Sequence, residues 1–238
     1  MDGAGVAASR LLGRPLTPAL VAWLMCALLF RGVCLAAMYW LAVWAEGRAA
    51  PRLPDAVLEY VPYVGWVDHW NYLVWTVAYV PAALALCVKD VHRFCRYLVA
   101  GGLVALVRGL CIAATGLGAV GGGPEIHLGL TGAQQLGAWR QLMMPFGALL
   151  HEPTTAFYLT KDLFFSGHTA TTFLVVLYVW RYPGLRWWTL FAHLVVVATV
   201  FLAHLHYTID VIGAWAVTFA IYTLMEGDLR ALLVGKKP

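Results

Sequence analysis

The chain has 238 residues, of which 62% are hydrophobic and only 12% charged, whereas a soluble domain carries roughly 25% charged residues. With a mean hydropathy of +0.75, this composition excludes an ordinary soluble globule and indicates a polytopic membrane protein. The formal net charge of +4 comes from basic residues scattered between apolar runs, which argues against a nucleic-acid surface.

The N-terminus lacks the short apolar core and small-residue cleavage site of a signal peptide, so the first long apolar run is expected to stay as an anchor. A helix needs ~20 apolar residues to cross a bilayer. Six runs meet that length, at about 18–44, 67–88, 94–117, 163–181, 187–205 and 208–225, the first introduced by Thr17-Pro18 as N-cap and first helical residue. The window 133–150 (AQQLGAWRQLMMPFGALL) contains Gln134, Gln135, Arg140, Gln141 and Pro145, and reads as an interfacial or re-entrant helix within the 119–160 loop. Gly-rich 116–123 lacks the strand and lysine of a nucleotide loop and reads as a flexible lead into that loop, a candidate lid. The five cysteines (Cys26, Cys34, Cys87, Cys95, Cys111) lie in or beside the runs without CxxC or metal-type spacing, and read as small apolar residues. The expected architecture is therefore all-α: one membrane domain over 1–238, a six-helix bundle.

Basic residues set the orientation. Six spans gather Arg10, Arg14, Lys89, Arg93, Arg96, Arg181, Arg186, Arg230, Lys236 and Lys237 on one side, against Arg48, Arg52, Arg140 and Lys161 on the other. That asymmetry places both termini in the cytoplasm, and it would vanish if 133–150 crossed as well. Topology then brings His168 (start of span four), His206 (between spans five and six) and Asp210 (first turn of span six) to one non-cytoplasmic face.

Ionisable groups inside spans are costly and usually functional. If span six begins near Tyr207, His206 and Asp210 share a helical face, and a carboxylate on one ring nitrogen leaves the other free to act as base or nucleophile. His168, from another helix, supplies a second imidazole for general acid–base work. Two imidazoles and an acid suit phosphoryl transfer through a phosphohistidine, a chemistry that needs neither metal nor cofactor. His193, in the middle of span five, reads as a packed, hydrogen-bonded residue. The tryptophans near span ends, among them Trp40, Trp44, Trp66, Trp70, Trp75, Trp180, Trp187 and Trp188, are either interfacial anchors or, for some, part of a cation-binding aromatic cage.

SGHT at 166–169 followed by HYTID at 206–210 resembles the PAP2 lipid phosphatase/phosphotransferase superfamily, and within it the sphingomyelin synthase branch. Leu53-Pro54-Asp55 with Pro62 is similar to that branch's first-loop motif, with Arg52 in place of the leading proline. Arg108, Thr115 and Leu117 resemble its third-span motif, with Gly118 where a proline is expected. Asp162 stands at the acid position of D-x-x-x-S-G-H-T, and His204, His206, Tyr207, Thr208 and Asp210 match H-x-H-Y-T-x-D.

The resemblance implies six spans, His168 as acid/base, His206 as nucleophile and Asp210 as its orienter. It makes Asp162, Ser166, Arg108 and Tyr207 the candidate substrate-binding residues. Asp162 either steers a head-group ammonium or caps span four, and Arg108 either contacts phosphate or forms an intramembrane ion pair. A glutamate before SGHT also belongs to the branch; Glu125 and Glu152 are available, and Gln134 or Gln135 has the more similar context. The K-x6-R-P element and S-R pair of the ordinary phosphatases are absent, Val200 replacing that arginine, which disfavours a dianionic monoester.

The implied activity is transfer of phosphocholine or phosphoethanolamine from a glycerophospholipid to ceramide or a similar lipid alcohol. The alternatives are a PAP2-type or phospholipase C-like hydrolase using the same histidines, and a non-catalytic lipid-binding scaffold. Partners would be membrane lipids rather than nucleic acid. Twelve arginines against four lysines point to a GC-rich genome and a bacterial inner membrane, with the Golgi or plasma membrane as alternatives.

Overall fold

The computed structural model describes residues 17–120, 128–144 and 157–227. Among them it is all-helical: α1 (Pro18–Glu46), α2 (Gly65–Lys89), α3 (Val91–Thr115), α4 (Gly132–Met143), α5 (Gly167–Val179), α6 (Pro183–Leu202) and α7 (Thr208–Glu226). Five of these, α1, α2, α3, α6 and α7, are long and apolar enough to cross a membrane. Thr17 and Pro18 begin α1 as expected, the Thr17 hydroxyl accepting the Leu20 N–H at 3.2 Å. The expected helix at 133–150 is found as α4, which Thr131 and Gln134 close with a reciprocal capping box; 145–150 lie outside the described residues.

Predicted span 163–181 is shorter than the sequence implies. Its helix, α5, has 13 residues, about 20 Å of rise against ~30 Å of hydrocarbon. The four residues before it, Leu163–Ser166, stay irregular, and Leu163, Phe165 and Ser166 are buried. Irregular backbone inside a membrane protein must find partners within the protein, and here charged side chains supply them. Arg108 donates to the carbonyls of Asp162 and Phe165 at 2.6 and 2.7 Å. The Glu46 carboxylate, fully buried at the end of α1, accepts the N–H groups of Thr160 and Lys161 at 2.9 Å each. Lys161 Nζ donates to the Arg48 carbonyl at 2.6 Å.

α5 is the central element and packs on α2, α3, α6 and α7. α1 lies along α3, where small residues allow close approach: a Cβ on Gly109 would stand 2.8 Å from the Met38 Cα. Because helix directions alternate, the bundle has two distinct ends. One holds the ion pairs Arg181–Asp90 (2.5 Å) and Arg96–Glu226 (2.9 Å), with Arg93 donating to the Tyr178 carbonyl. The other gathers residues 46–64, 116–120, 160–166 and 203–207, and there the motif residues meet.

Candidate functional site

Ser166 forms the turn into α5. Its N–H donates to the Asp210 carbonyl at 3.1 Å, and its fully buried hydroxyl caps the helix by accepting the Thr169 N–H at 3.3 Å. Gly167 follows because the Arg108 guanidinium runs against it, so that a Cβ would sit 3.1 Å from Cζ. His168 is thus held in the first turn of α5. Its Nε2 is buried without a protein partner, and its ring lies 5.2 Å from the Trp75 ring and 6.4 Å from that of His206, centroid to centroid.

His206 is not on the helix with Asp210, as the four-residue spacing implied. α7 begins at Thr208, and His206 sits on the bend just before it. Asp210 has the helix terminus to satisfy: Oδ2 accepts the Tyr207 N–H at 2.9 Å, which folds the chain back and leaves His206 Nδ1 3.4 Å from the same oxygen. That is an electrostatic approach, not a formed hydrogen bond, since Nδ1 and Asp210 Oδ1 both lack a bonding partner. Asp210 is fully buried and His206 is 4% exposed, so water does little to screen the attraction.

The remaining predicted residues fall around this pair. Asp162 is held by Arg108 through Nη2–Oδ2 at 2.8 Å. Arg108 also donates through Nε and Nη1 to the Phe165 carbonyl and Met38 Sδ, and the intramembrane ion pair with Asp162 is present. Tyr207 donates its hydroxyl to the Gly118 carbonyl at 2.9 Å and accepts the Leu53 N–H at 3.2 Å. Asp55 accepts the Thr208 N–H and hydroxyl at 2.5 and 2.8 Å. The first-loop motif therefore docks onto the HYTID turn. Gly118 N–H donates to the Pro51 carbonyl at 2.8 Å, a bond that the proline expected there has no hydrogen to make.

Glu125 and Glu152 lie outside the described residues, and Gln134 serves as an α4 cap. Sequence reasoning named Trp75 only among the span-end tryptophans. Its indole N–H donates to Thr171 at 2.8 Å, and with Tyr72 and Tyr79 it makes an aromatic wall beside His168. Its i±3 and i±4 spacing to two tyrosines was the available signal.

Comparison with known proteins points to the same segment of the chain. The PAP2 superfamily C-terminal family matches residues 161–227, the segment from Lys161 through both histidines to the end of α7. The chain is similar to sphingomyelin synthase-like members of the PAP2 superfamily. It is 31% identical over 182 residues to phosphatidylcholine:ceramide cholinephosphotransferase 2 of Homo sapiens, covering 71% of this chain and 48% of that protein. The protein of the same name from Rattus norvegicus is 31% identical over 180 residues, with the same coverage. The chain therefore spans about half the length of the curated relatives it matches. Its five apolar helices make it a multi-pass membrane protein, and the family match contains both histidines.

Proposed function

We propose that this protein transfers a phosphorylated head group, phosphocholine or phosphoethanolamine, from a glycerophospholipid to ceramide or a similar lipid alcohol. The observation that carries the reading is the approach of His168, in the first turn of α5, to His206, on the bend before α7, with a buried carboxylate behind the second. Asp210 beside Nδ1 leaves His206 Nε2 as the nucleophile. Nε2 attacks phosphorus, the bond from phosphorus to the diacylglycerol oxygen breaks, and His168 gives that oxygen its proton. His168 then takes the proton of the acceptor hydroxyl, whose oxygen attacks the phosphohistidine and releases His206. Protons, phosphoryl group and charge all return to balance over the two steps.

The choice of substrate rests on the surroundings. Val200, fully buried, supplies no cation where the ordinary phosphatases have an arginine, and Arg108 is occupied by Asp162. A diester with a single negative phosphate needs less positive charge than a monoester. Its own cation has the Trp75, Tyr72 and Tyr79 wall as a partner.

In this reading the bundle has six crossings, with α5 and the irregular segment before it as the fourth, both termini cytoplasmic and the histidine end facing the non-cytoplasmic leaflet. A single cysteine placed at 204–208 should label from outside intact cells.

Purified protein with phosphatidylcholine and fluorescent ceramide tests the activity. A fluorescent phosphorylated ceramide product means transfer, whereas ceramide-independent release of diacylglycerol means hydrolysis. His206→Ala should abolish either; unchanged turnover would remove the phosphohistidine.

A further inference from the structure

His193 lies in the interior of α6, is 3% exposed, and uses both ring nitrogens. The Trp215 indole N–H donates to Nε2 at 2.9 Å. An indole nitrogen can only donate, so Nε2 must be bare, and a neutral imidazole then carries its one proton on Nδ1. Nδ1 faces the Thr172 hydroxyl oxygen at 2.8 Å, and Thr172 in turn donates to the His168 carbonyl at 2.8 Å. Every donor and acceptor thus has one direction, from Trp215 through His193 and Thr172 to the backbone of His168. The chain ties α7 and α6 to the first turn of α5, and its two middle members, His193 and Thr172, are buried.

A second route reaches the same turn from α2. Trp75 donates to Thr171, whose hydroxyl reaches the Gly167 carbonyl at 2.8 Å and that of His168 at 3.2 Å. Two tryptophans on different helices therefore each fix a threonine that grips the peptide carrying His168. Hydroxyl back-bonding of this kind bends or shifts a helical turn, so its loss would move the imidazole.

We propose that His193 is a positioning residue: locked in one tautomer by Trp215, it holds Thr172 on the His168 carbonyl and so sets where the His168 imidazole points. The kinetic part rests on the proposed function, in which His168 carries the proton; the geometric part does not.

The test uses the full-length protein in detergent, labelled with ¹⁵N-histidine. One histidine should show the Nδ1–H, bare-Nε2 pattern and disappear in His193→Asn. Thr172→Val should shift the ring resonances of His168 while those of His92, at the opposite end of the bundle, stay in place. A proton found on Nε2 of His193, or His168 resonances unmoved by Thr172→Val, would overturn the proposal.

In lipid transfer, Thr172→Val and His193→Leu should each lower kcat about tenfold with KM within about twofold, because small misplacements of a reacting group cost rate before binding. Thr172→Ser and His193→Asn, which keep the hydroxyl and the Nδ1-side donor, should recover most of that loss. The Thr172→Val/His193→Leu double variant should be no slower than the single ones, since both break one chain. Full rates in both single variants, or additive losses in the double, would count against it. If the wild-type protein transfers no lipid, the phosphotransferase reading fails, while the ring spectra still decide whether the chain from Trp215 orients His168.

Discussion

Arg108 and Asp162 form a two-point clasp: one guanidinium nitrogen, Nη2, donates to the carboxylate at 2.8 Å and to the carbonyl of the same residue at 2.6 Å. With Nε on the Phe165 carbonyl, the arginine satisfies a stretch of backbone that has no helix of its own. Their side chains are 8% and 25% exposed. Removing one partner of a buried pair leaves the other charge uncompensated, at a cost of about 3–5 kcal/mol. Arg108→Met should therefore lower the detergent melting temperature strongly. Arg108→Lys should recover only part, because an ammonium cannot reproduce the guanidinium fork. Asp162→Asn keeps an acceptor but leaves the more deeply buried guanidinium without a counter-charge, so it too should lower the melting temperature; a variant melting like wild type would contradict the clasp.

Asp55 gives a pH-dependent prediction. Burial pushes its carboxyl up, but the hydrogen bonds from Thr208, Leu58 and Val57 outweigh this, so it titrates below its ordinary value of 3.8. A carboxyl depressed in the folded state stabilises above its unfolded pKa, and that contribution disappears as pH falls through the folded one. Asp55→Asn keeps an acceptor but loses the charge that strengthens these hydrogen bonds, so it should be less stable than wild type at neutral pH and throughout the range above about 4. Wild type and variant should converge in more acidic solution. Melting curves from pH 7 to 3 check this, and a gap that widened towards acid would reverse the sign.

Five apolar helices and the meeting of the histidines were legible because hydropathy and two short motifs are local signals. The short helix α5 was not. Leu163-Phe164-Phe165 is as apolar as a helix interior, and only the remote partners Arg108, Glu46 and Asp210 allow it to remain irregular. For the same reason His206 and Asp210 looked like a helical i,i+4 pair: nothing in the spacing reveals that Asp210 folds back to cap Tyr207. Asp55 and Tyr207 were visible as motif members, but their contacts span more than 150 positions, beyond any periodicity.

Gly118 carries a third prediction. A Cβ there would lie 2.5 Å from the Ala50 carbonyl oxygen, with the Pro51 carbonyl at 2.9 Å. Both are backbone atoms, which cannot swing aside as a side chain can. Gly118→Ala should therefore push the first loop away from the Tyr207 hydroxyl, which bonds to Gly118 O and Leu53 N. Overpacking of this kind costs about 1–3 kcal/mol. Gly118→Pro should be worse, since it also removes the N–H bonded to Pro51. Limited proteolysis within 51–63 reports the displacement, and cleavage rates equal to wild type would show that the loop is held by other contacts.

Asp210 allows capping and electrostatics to be separated. Asparagine caps a helix nearly as well as aspartate, so Asp210→Asn should keep the bond to the Tyr207 N–H and melt within a few degrees of wild type. What it loses is the negative charge 3.4 Å from His206 Nδ1, in a site where neither side chain is more than 5% exposed and attraction is weakly screened. In the proposed mechanism nucleophilic attack puts positive charge on the His206 ring, so the charge opposite Nδ1 matters more in the transition state than in the resting protein. Asp210→Asn should therefore lower kcat for transfer by about a hundredfold or more with little change in KM. Near-normal kcat with an intact fold would reduce Asp210 to a cap and leave His206 without its orienter.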